Sequence, residues 1–421
     1  MCTTALALLP GCRKGTGSAD DVCSFEFQAD DLAKDGRTVG TMLQDDAGLY
    51  DLHVVVRWAG KMGGDGTAPI AITLQGGWNQ EGTPVTSDTT RLDTTQSVVD
   101  IHVDLPGAGL SGGYNDRRGP VAAAAVATVM RWAHGETVDS GGCHLPDRVP
   151  AANTDDLYLV GTSNGGNLAY SVLTDDSLTL PPVAGLVTWE TPVAATFANV
   201  ELGNDPSVHE PGTCSWDQSA GVFCDFPADE LIVTNTGGPT STLCFDLDQD
   251  GACVEENDVV VHGTESKDTG EIMLSPRLRQ AVSDAGLQPT GFASEEDADA
   301  WWFYRDAGRR TDLFVQRWPT LPVMILGSEV DHVIDTWTDH PHLHAIGEAL
   351  QANGAFWTRL NPGEKWLAGN TNENPPNMLL SLGGDDAKLL AEEVEDPLED
   401  TLTAAVMELS ERNASGDWTG D

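Results

Sequence analysis

The chain holds 421 residues, 40% of them apolar, and its 66 acidic residues against 22 basic ones give a formal net charge of −44. A field of that sign repels phosphate backbones and anionic lipid, which sets nucleic-acid binding aside, and the apolar content is too high and too evenly spread for a disordered chain. The longest near-apolar run, residues 120–130, falls well short of the ~20 residues that a membrane-spanning helix needs.

A chain of this length forms two or three domains, or one large α/β domain carrying an insertion. Its basic side is 16 Arg to 6 Lys. An Asp-rich, Lys-poor surface suits high salt, where screening makes self-repulsion cheap, and it equally suits an ordinary acidic secreted protein. The charge describes solubility and habitat rather than fold.

The chain opens Met1-Cys2-Thr3-Thr4-Ala5-Leu6-Ala7-Leu8-Leu9-Pro10-Gly11-Cys12. A short apolar stretch ending Leu-Pro-Gly-Cys resembles the lipobox of a bacterial-type lipoprotein signal, although the positively charged start is missing. That resemblance implies a lipid anchor on Cys12, a signal and tether over residues 1–22, and a secreted or cell-surface protein. Cys23, Cys143, Cys214, Cys224, Cys244 and Cys253 then remain. Cys214 and Cys224, and Cys244 and Cys253, are close enough in sequence to close small loops, leaving Cys23 for Cys143. About fifteen pairings stay formally open. The expectation is an exported, oxidising environment.

Residues 13–45 are polar and Asp/Gly-rich and read as an N-terminal extension. Residues 51–60 and 68–77 read as β-branched strands around a Gly-rich turn, and 97–105 as a third strand leading into the glycine-rich loop DLPGAGLSGGYNDRRG. Residues 120–134 begin with Pro at a first helical position and contain no breaker, which predicts a helix. A strand at 156–161, a helix at 165–173 and a strand at 183–188 follow. After a long gap come a buried strand at 321–327, a helix at 341–353 and a strand at 356–360. Strands alternating with helices in this way predict a mostly parallel, doubly covered sheet. Residues 195–315, rich in Gly, Asp, Thr and Cys, break the alternation and read as a cap or lid insertion. The core then comprises 23–194 and 316–384, and residues 385–421 read as a C-terminal helix.

The strand DLYLV runs directly into Gly161-Thr162-Ser163-Asn164-Gly165 and then into the helical GNLAYSVL. This is G-x-S-x-G in the strand–turn–helix setting that gives it meaning. Such a turn raises the Ser163 hydroxyl at the carboxyl edge of the sheet, at a helix N-terminus that favours developing negative charge. Here the sequence resembles the α/β-hydrolase superfamily over about residues 50–195 and 315–362.

The resemblance implies roles for further segments. Gln75-Gly76-Gly77-Trp78 looks like the H-G-G-type oxyanion loop, with Gln75 in place of His. The backbone N–H of Trp78, or of a neighbour, would join that of Asn164 in holding a tetrahedral oxyanion. Asp104 opens a loop similar to the D-x-R-G-x-G-x-S-x-G segment, with Pro106 where Arg is usual, and reads as structural. VMILGSEVDHVID looks like the seventh strand and acid loop, which places Asp331 in the acid role. Glu329, Asp335 and Glu190, in TWETP, are rivals.

The base departs from the pattern. The loop after the last strand, RLNPGEKWLAGNTNENPPN, holds no histidine, and the last histidine of the chain is His344. A serine nucleophile needs a base within hydrogen-bond reach. The candidates are His340 and His342 first, then His344, His332, and His209 or His262 from the insertion. A site with no catalytic histidine stays open.

Asp246-Leu-Asp248-Gln-Asp250-Gly251-Ala252 lies between Cys244 and Cys253 and resembles the D-x-D-x-D-G start of EF-hand, dockerin and thrombospondin-type calcium loops. Oxygens of Asp246, Asp248, Asp250, Ala252 and Asn257 would converge on Ca²⁺, although Asn257 stands where an EF-hand needs a bidentate Glu. The role would be structural, and no organic cofactor is implied. Trp301-Trp302-Phe303-Tyr304 reads as an amphipathic helix packing on the sheet. The chain thus reads as an exported serine hydrolase of carboxylic esters, polymeric or lipid-like ones included. A prolyl-peptidase-like serine peptidase and a non-catalytic surface binding protein are the alternatives.

Overall fold

The structure, a computed structural model, describes residues 23, 37–45, 48–58, 67–77, 92–93, 97–193, 197, 201–202, 215–217, 221–223, 227–234, 239–327, 341–360 and 398–418. The first six strands are β1 (Arg37–Gln44), β2 (Asp51–Trp58), β3 (Ala68–Leu74), β4 (Val99–Val103), β5 (Ala152–Thr162) and β6 (Gly185–Trp189). Short strands follow in the insertion: β7 (Ser215–Asp217), β8 (Gly221–Phe223), β9 (Leu231–Thr234), β10 (Thr242–Phe245), β11 (Val259–Val260), β12 (Thr264–Glu265) and β13 (Ile272–Met273). The chain then returns with β14 (Val323–Leu326) and β15 (Thr358–Leu360). The helices are α1 (Pro120–His134), α2 (Leu145–Arg148), α3 (Asn164–Thr174), α4 (Pro276–Asp284), α5 (Glu295–Arg305), α6 (Thr311–Arg317), α7 (Pro341–Ala352) and α8 (Leu398–Ser415).

The central sheet has eight strands in the order β1-β2-β4-β3-β5-β6-β14-β15. From β4 to β15 every pairing is parallel, while β2 runs antiparallel to both β4 and β1. Strand β3 is buried along its whole length, as a strand covered on both faces must be. Side chains alternate between two cores. Ile70, Ile72, Leu157, Leu159, Val323 and Ile325 join Val126, Leu168 and Phe314 of the helices on one face. Ala71, Tyr158, Val160, Met324 and Leu326 meet Leu402, Ala405, Val406 and Leu409 of α8 on the other.

Helix α1 starts as its Pro predicts, and the buried Asp116 carboxylate holds that start by accepting from the amides of Gly119 (3.0 Å), Val121 (2.6 Å) and Ala122 (3.3 Å). The expected bridges Cys23–Cys143 and Cys244–Cys253 are formed, and Cys214 and Cys224 lie outside the described residues.

Two expectations are corrected. Part of the stretch read as a polar extension is strand β1, paired along its length with β2 and tied to the core through Leu43. An edge strand with one buried face has too few apolar residues to stand out in a sequence. The aromatic run lies on a helix, α5, and Tyr304 packs against the sheet core as expected, but Trp302 packs with Phe197, Met273 and Ala298 of the insertion instead. The insertion also holds more helix than its composition suggested. Ser294 caps α5, accepting from the Asp297 amide at 3.1 Å.

Candidate active site

Strand β5 ends at Thr162, and Ser163 turns the chain into α3 with φ +51° and ψ −127°. That left-handed backbone is strained for a serine and is held by its surroundings. Its amide donates to the Trp189 carbonyl of β6 at 2.7 Å. The flanking glycines are required by contact: a Cβ on Gly161 would come within 2.4 Å of Gly166 Cα, and one on Gly165 within 2.1 Å of the Leu74 carbonyl oxygen.

The loop after β3 lies against the elbow. A Cβ on Gly76 would meet Ser163 Cβ at 2.8 Å, so only glycine lets the backbone pass so close to the serine. The Gly76 amide donates to Thr162 Oγ1 at 3.1 Å, and that hydroxyl donates to the Leu74 carbonyl at 3.2 Å. Asn164 is the first residue of α3, where a backbone N–H has no intrahelical acceptor. Its side chain donates to the Gly77 carbonyl at 3.2 Å and accepts from Asn167 Nδ2 at 3.0 Å. The expected Asn164 position therefore adjoins the glycine loop, while Trp78 lies outside the described residues.

Of the acid candidates, Asp331, Glu329 and Asp335 lie outside the described residues. Glu190 is described. It follows β6, is buried, carries φ +41°, and its amide donates to the Leu326 carbonyl of β14 at 2.9 Å. Two left-handed residues, Ser163 and Glu190, thus leave adjacent strands at the same edge.

Of the base candidates, His340, His332 and His209 lie outside the described residues, and His342 and His344 are placed by backbone alone in the first turn of α7. Since β15 runs parallel to β14 and begins six residues after α7 ends, α7 runs back across the sheet and starts at its carboxyl side, the side of Ser163. His262 is exposed on the insertion. His53 and His102 serve carboxylates instead: His53 Nδ1 lies 2.8 Å from Asp104 and His102 Nε2 lies 2.8 Å from Asp100. Asp104 also accepts from the Leu110 amide at 2.9 Å, the structural role expected of it.

Sequence reading missed the residues that brace the site. Arg118 is buried and donates to the carbonyls of Gln75 and Gly76. Desolvation, helped by the neighbouring charge of Arg117, lowers it to about 10, so it stays charged at neutral pH. Arg305 of α5 in turn donates to the carbonyls of Asp116 (2.7 Å) and Arg117 (2.9 Å). The doublet Arg117-Arg118 after a glycine-rich loop was the available signal.

In the insertion, carboxylate oxygens of Asp246, Asp248 and Asp250 lie within 4.8 Å of one another. Backbone amides already turn toward them: Gly251 donates to Asp246 at 2.9 Å and Ala252 to Asp250 at 2.8 Å. Asn257 reaches the group through its Nδ2, which donates to Asp248 at 3.1 Å, so its carbonyl would have to rotate inward to bind a cation. Asp258, not Asn257, closes the loop, accepting from Leu247 (3.0 Å) and Val254 (2.8 Å).

No protein-family model matches the sequence. No curated protein matches it. Among solved structures it is similar to a thermostable esterase from Pseudomonas putida ECU1011, at 13% identity over 77% of this chain and 72% of that one, TM-score 0.39. It is also similar to carboxyl esterase 2 from Tuber melanosporum, at 14% identity over 80% and 78%, TM-score 0.40. An esterase structure from Rhizomucor miehei gives 13% identity over 90% and 85%, TM-score 0.43. An eight-stranded sheet ordered β1-β2-β4-β3-β5-β6-β14-β15, antiparallel only at β2, with a serine elbow after the fifth strand and a glycine loop after the third, is the α/β-hydrolase fold.

Proposed function

We propose that the chain is an exported serine hydrolase of carboxylic esters. The observation that carries this reading is Ser163, in left-handed backbone at the carboxyl edge with the Gly76 peptide packed against its Cβ. In the first half-reaction Ser163 Oγ would bond to the ester carbonyl carbon. The carbonyl π pair moves to oxygen, and the serine proton passes to an imidazole. Collapse of the adduct expels the alcohol, which takes that proton, and leaves an acyl-enzyme. Water then repeats the sequence and releases the carboxylic acid. Amides of Asn164 and of the loop at Gly77–Trp78 are the oxyanion donors, each worth roughly 3–4 kcal/mol.

The imidazole belongs to His340 or His342, supported by the start of α7 at the same edge as the serine. Asp331 is the acid, and Glu190 is its rival on a specific ground, its buried, left-handed place beside the elbow. Export is supported by the two disulfides. Ca²⁺ on Asp246, Asp248 and Asp250 would brace the insertion and take no part in the chemistry.

The test is labelling of wild type and Ser163→Ala by a fluorophosphonate, with turnover of p-nitrophenyl esters and aminoacyl-nitroanilides. Labelling lost only in Ser163→Ala, with ester turnover lost in His340→Ala or His342→Ala, supports the reading. Turnover of the anilides alone would make it a peptidase. A second reading, a binding protein on a hydrolase frame, is favoured by one fact: no histidine follows β15. A folded wild type that does not label would establish it over the first.

A further inference from the structure

The glycine loop that faces Ser163 is gripped from behind and from the side. Behind it, one Arg118 Nη atom donates to the Gln75 carbonyl at 3.0 Å and to the Gly76 carbonyl. In a trans peptide the C=O and N–H point to opposite sides. Fixing the Gln75 carbonyl on Arg118 therefore sends the Gly76 N–H away from it, to Thr162 Oγ1. Fixing the Gly76 carbonyl in the same place sends the Gly77 N–H the same way, toward the side where Thr162 and Ser163 lie. Gly77 sits at φ +98°, which glycine alone adopts freely, and its carbonyl is taken by Asn164.

At the side, Gln75 Nε2 lies 3.2 Å from His102 Nδ1, and His102 Nε2 lies 2.8 Å from Asp100 Oδ2. Asp100 is wholly buried and also accepts from Thr73 Oγ1 (2.8 Å), the Leu92 amide (3.3 Å) and Arg57 Nη1 (3.4 Å). Burial alone would raise its pKa, but His102, Thr73 and Arg57 outweigh it and hold the carboxyl below its usual range. A carboxylate there calls for a proton on His102 Nε2, and the neutral ring in that tautomer offers Nδ1 to the Gln75 amide. Gln75, which replaces the family's histidine, thus has a partner fitted to it.

We propose that Arg118 and the Asp100–His102 pair are positioning residues for the oxyanion loop, turning the Gly76–Gly77 peptide so that the Gly77 N–H faces the oxygen of a carbonyl bound over Ser163. This rests on the serine-hydrolase reading. Neither group touches substrate. Arg118 sets the peptide plane, and the Asp100–His102 pair fixes the Gln75 side chain from which the loop departs.

The experiment compares wild type, Gln75→Met and Arg118→Ala, using p-nitrophenyl ester kinetics and the second-order rate of fluorophosphonate labelling, with near-ultraviolet circular dichroism as the check on folding. Both variants are expected to lose about 10- to 100-fold in kcat and in labelling rate, with KM within about twofold, because the oxyanion contact exists only in the transition state. Added ethylguanidinium should restore part of the rate of Arg118→Ala and none of that of Gln75→Met. Wild-type kcat in both variants, or a loss confined to KM, overturns the positioning role. If Arg118→Ala does not fold, Gln75→Met decides alone. A wild type that neither labels nor turns over ester overturns the hydrolase reading and this proposal together. A wild type that labels, beside variants that label at its rate, overturns this proposal only.

Discussion

The sheet and the insertion solve the same problem by different means. The sheet buries apolar side chains on two faces at once, so each strand contributes alternately to both cores. Among its described residues the insertion has two small clusters, one built on Leu231, Leu243, Phe245, Val259 and Leu278 with three short strands and a helix around it, the other on Phe197, Met273, Ala298 and Trp302. It adds a disulfide across nine residues, a buried glutamate and arginine contacts back to the sheet side. A unit too small to stand on burial alone has to be tied, and its ties respond to pH, reductant and ions in ways that an apolar core does not.

Four measurements sharpen or break this contrast. The first is Leu159→Ala, which empties a fully buried site in the sheet and should cost about 3–5 kcal/mol in global denaturant unfolding. Leu243→Ala, also fully buried, should instead show as faster amide exchange within the insertion alone. Equal global losses would dissolve the distinction.

Next is a pH effect at Glu201. Burial pushes this carboxyl up to about 8, although both its oxygens accept from the Ser275 amide at 3.0 Å. The native state then binds more protons than the unfolded chain between pH ~4.5 and ~8, so the insertion should be most stable below that window and lose stability as pH rises through it. Glu201→Gln should flatten the profile, and an unchanged slope would remove Glu201 as the cause.

Opening Cys244–Cys253 by double substitution to Ser should cost about 2.5 kcal/mol, against about 5 kcal/mol for Cys23–Cys143, whose closed loop is far longer. The smallest effect belongs to Ca²⁺. Millimolar Ca²⁺ should raise the insertion's melting temperature by about 1–4 °C, and Asp248→Asn should abolish the rise; identical curves with and without the ion would leave the acidic loop without a ligand.

The elbow was legible because its glycines, serine and flanking strand and helix are contiguous, and contact geometry demands each glycine where it stands. The bracing was not. Asp100 and His102 look like the polar positions of an alternating strand, which normally face water. They are two residues apart on one face of β4, inside a sheet covered on both sides, and they survive burial by serving each other, Thr73, Arg57 and Gln75. Likewise Arg118 and Asn167 act through carbonyls and amides contributed by distant segments. Single-strand periodicity carries no trace of such partners. Strand β1 was hidden for the opposite reason: of Thr41–Gln44 only Leu43 is buried, which leaves no apolar pattern to read.

Arg57, Arg118, Arg305, Arg310 and Arg359 are all buried. Five of the 22 cationic side chains are therefore committed to partners inside the molecule. The outer face is left with few positive groups to set among its carboxylates, and neutrality has to come from dissolved cations. The protein travels with a counter-ion atmosphere of its own making. Dialysis against pure water would strip that atmosphere and load the electrostatic strain first onto the insertion, the part least able to resist being pulled apart.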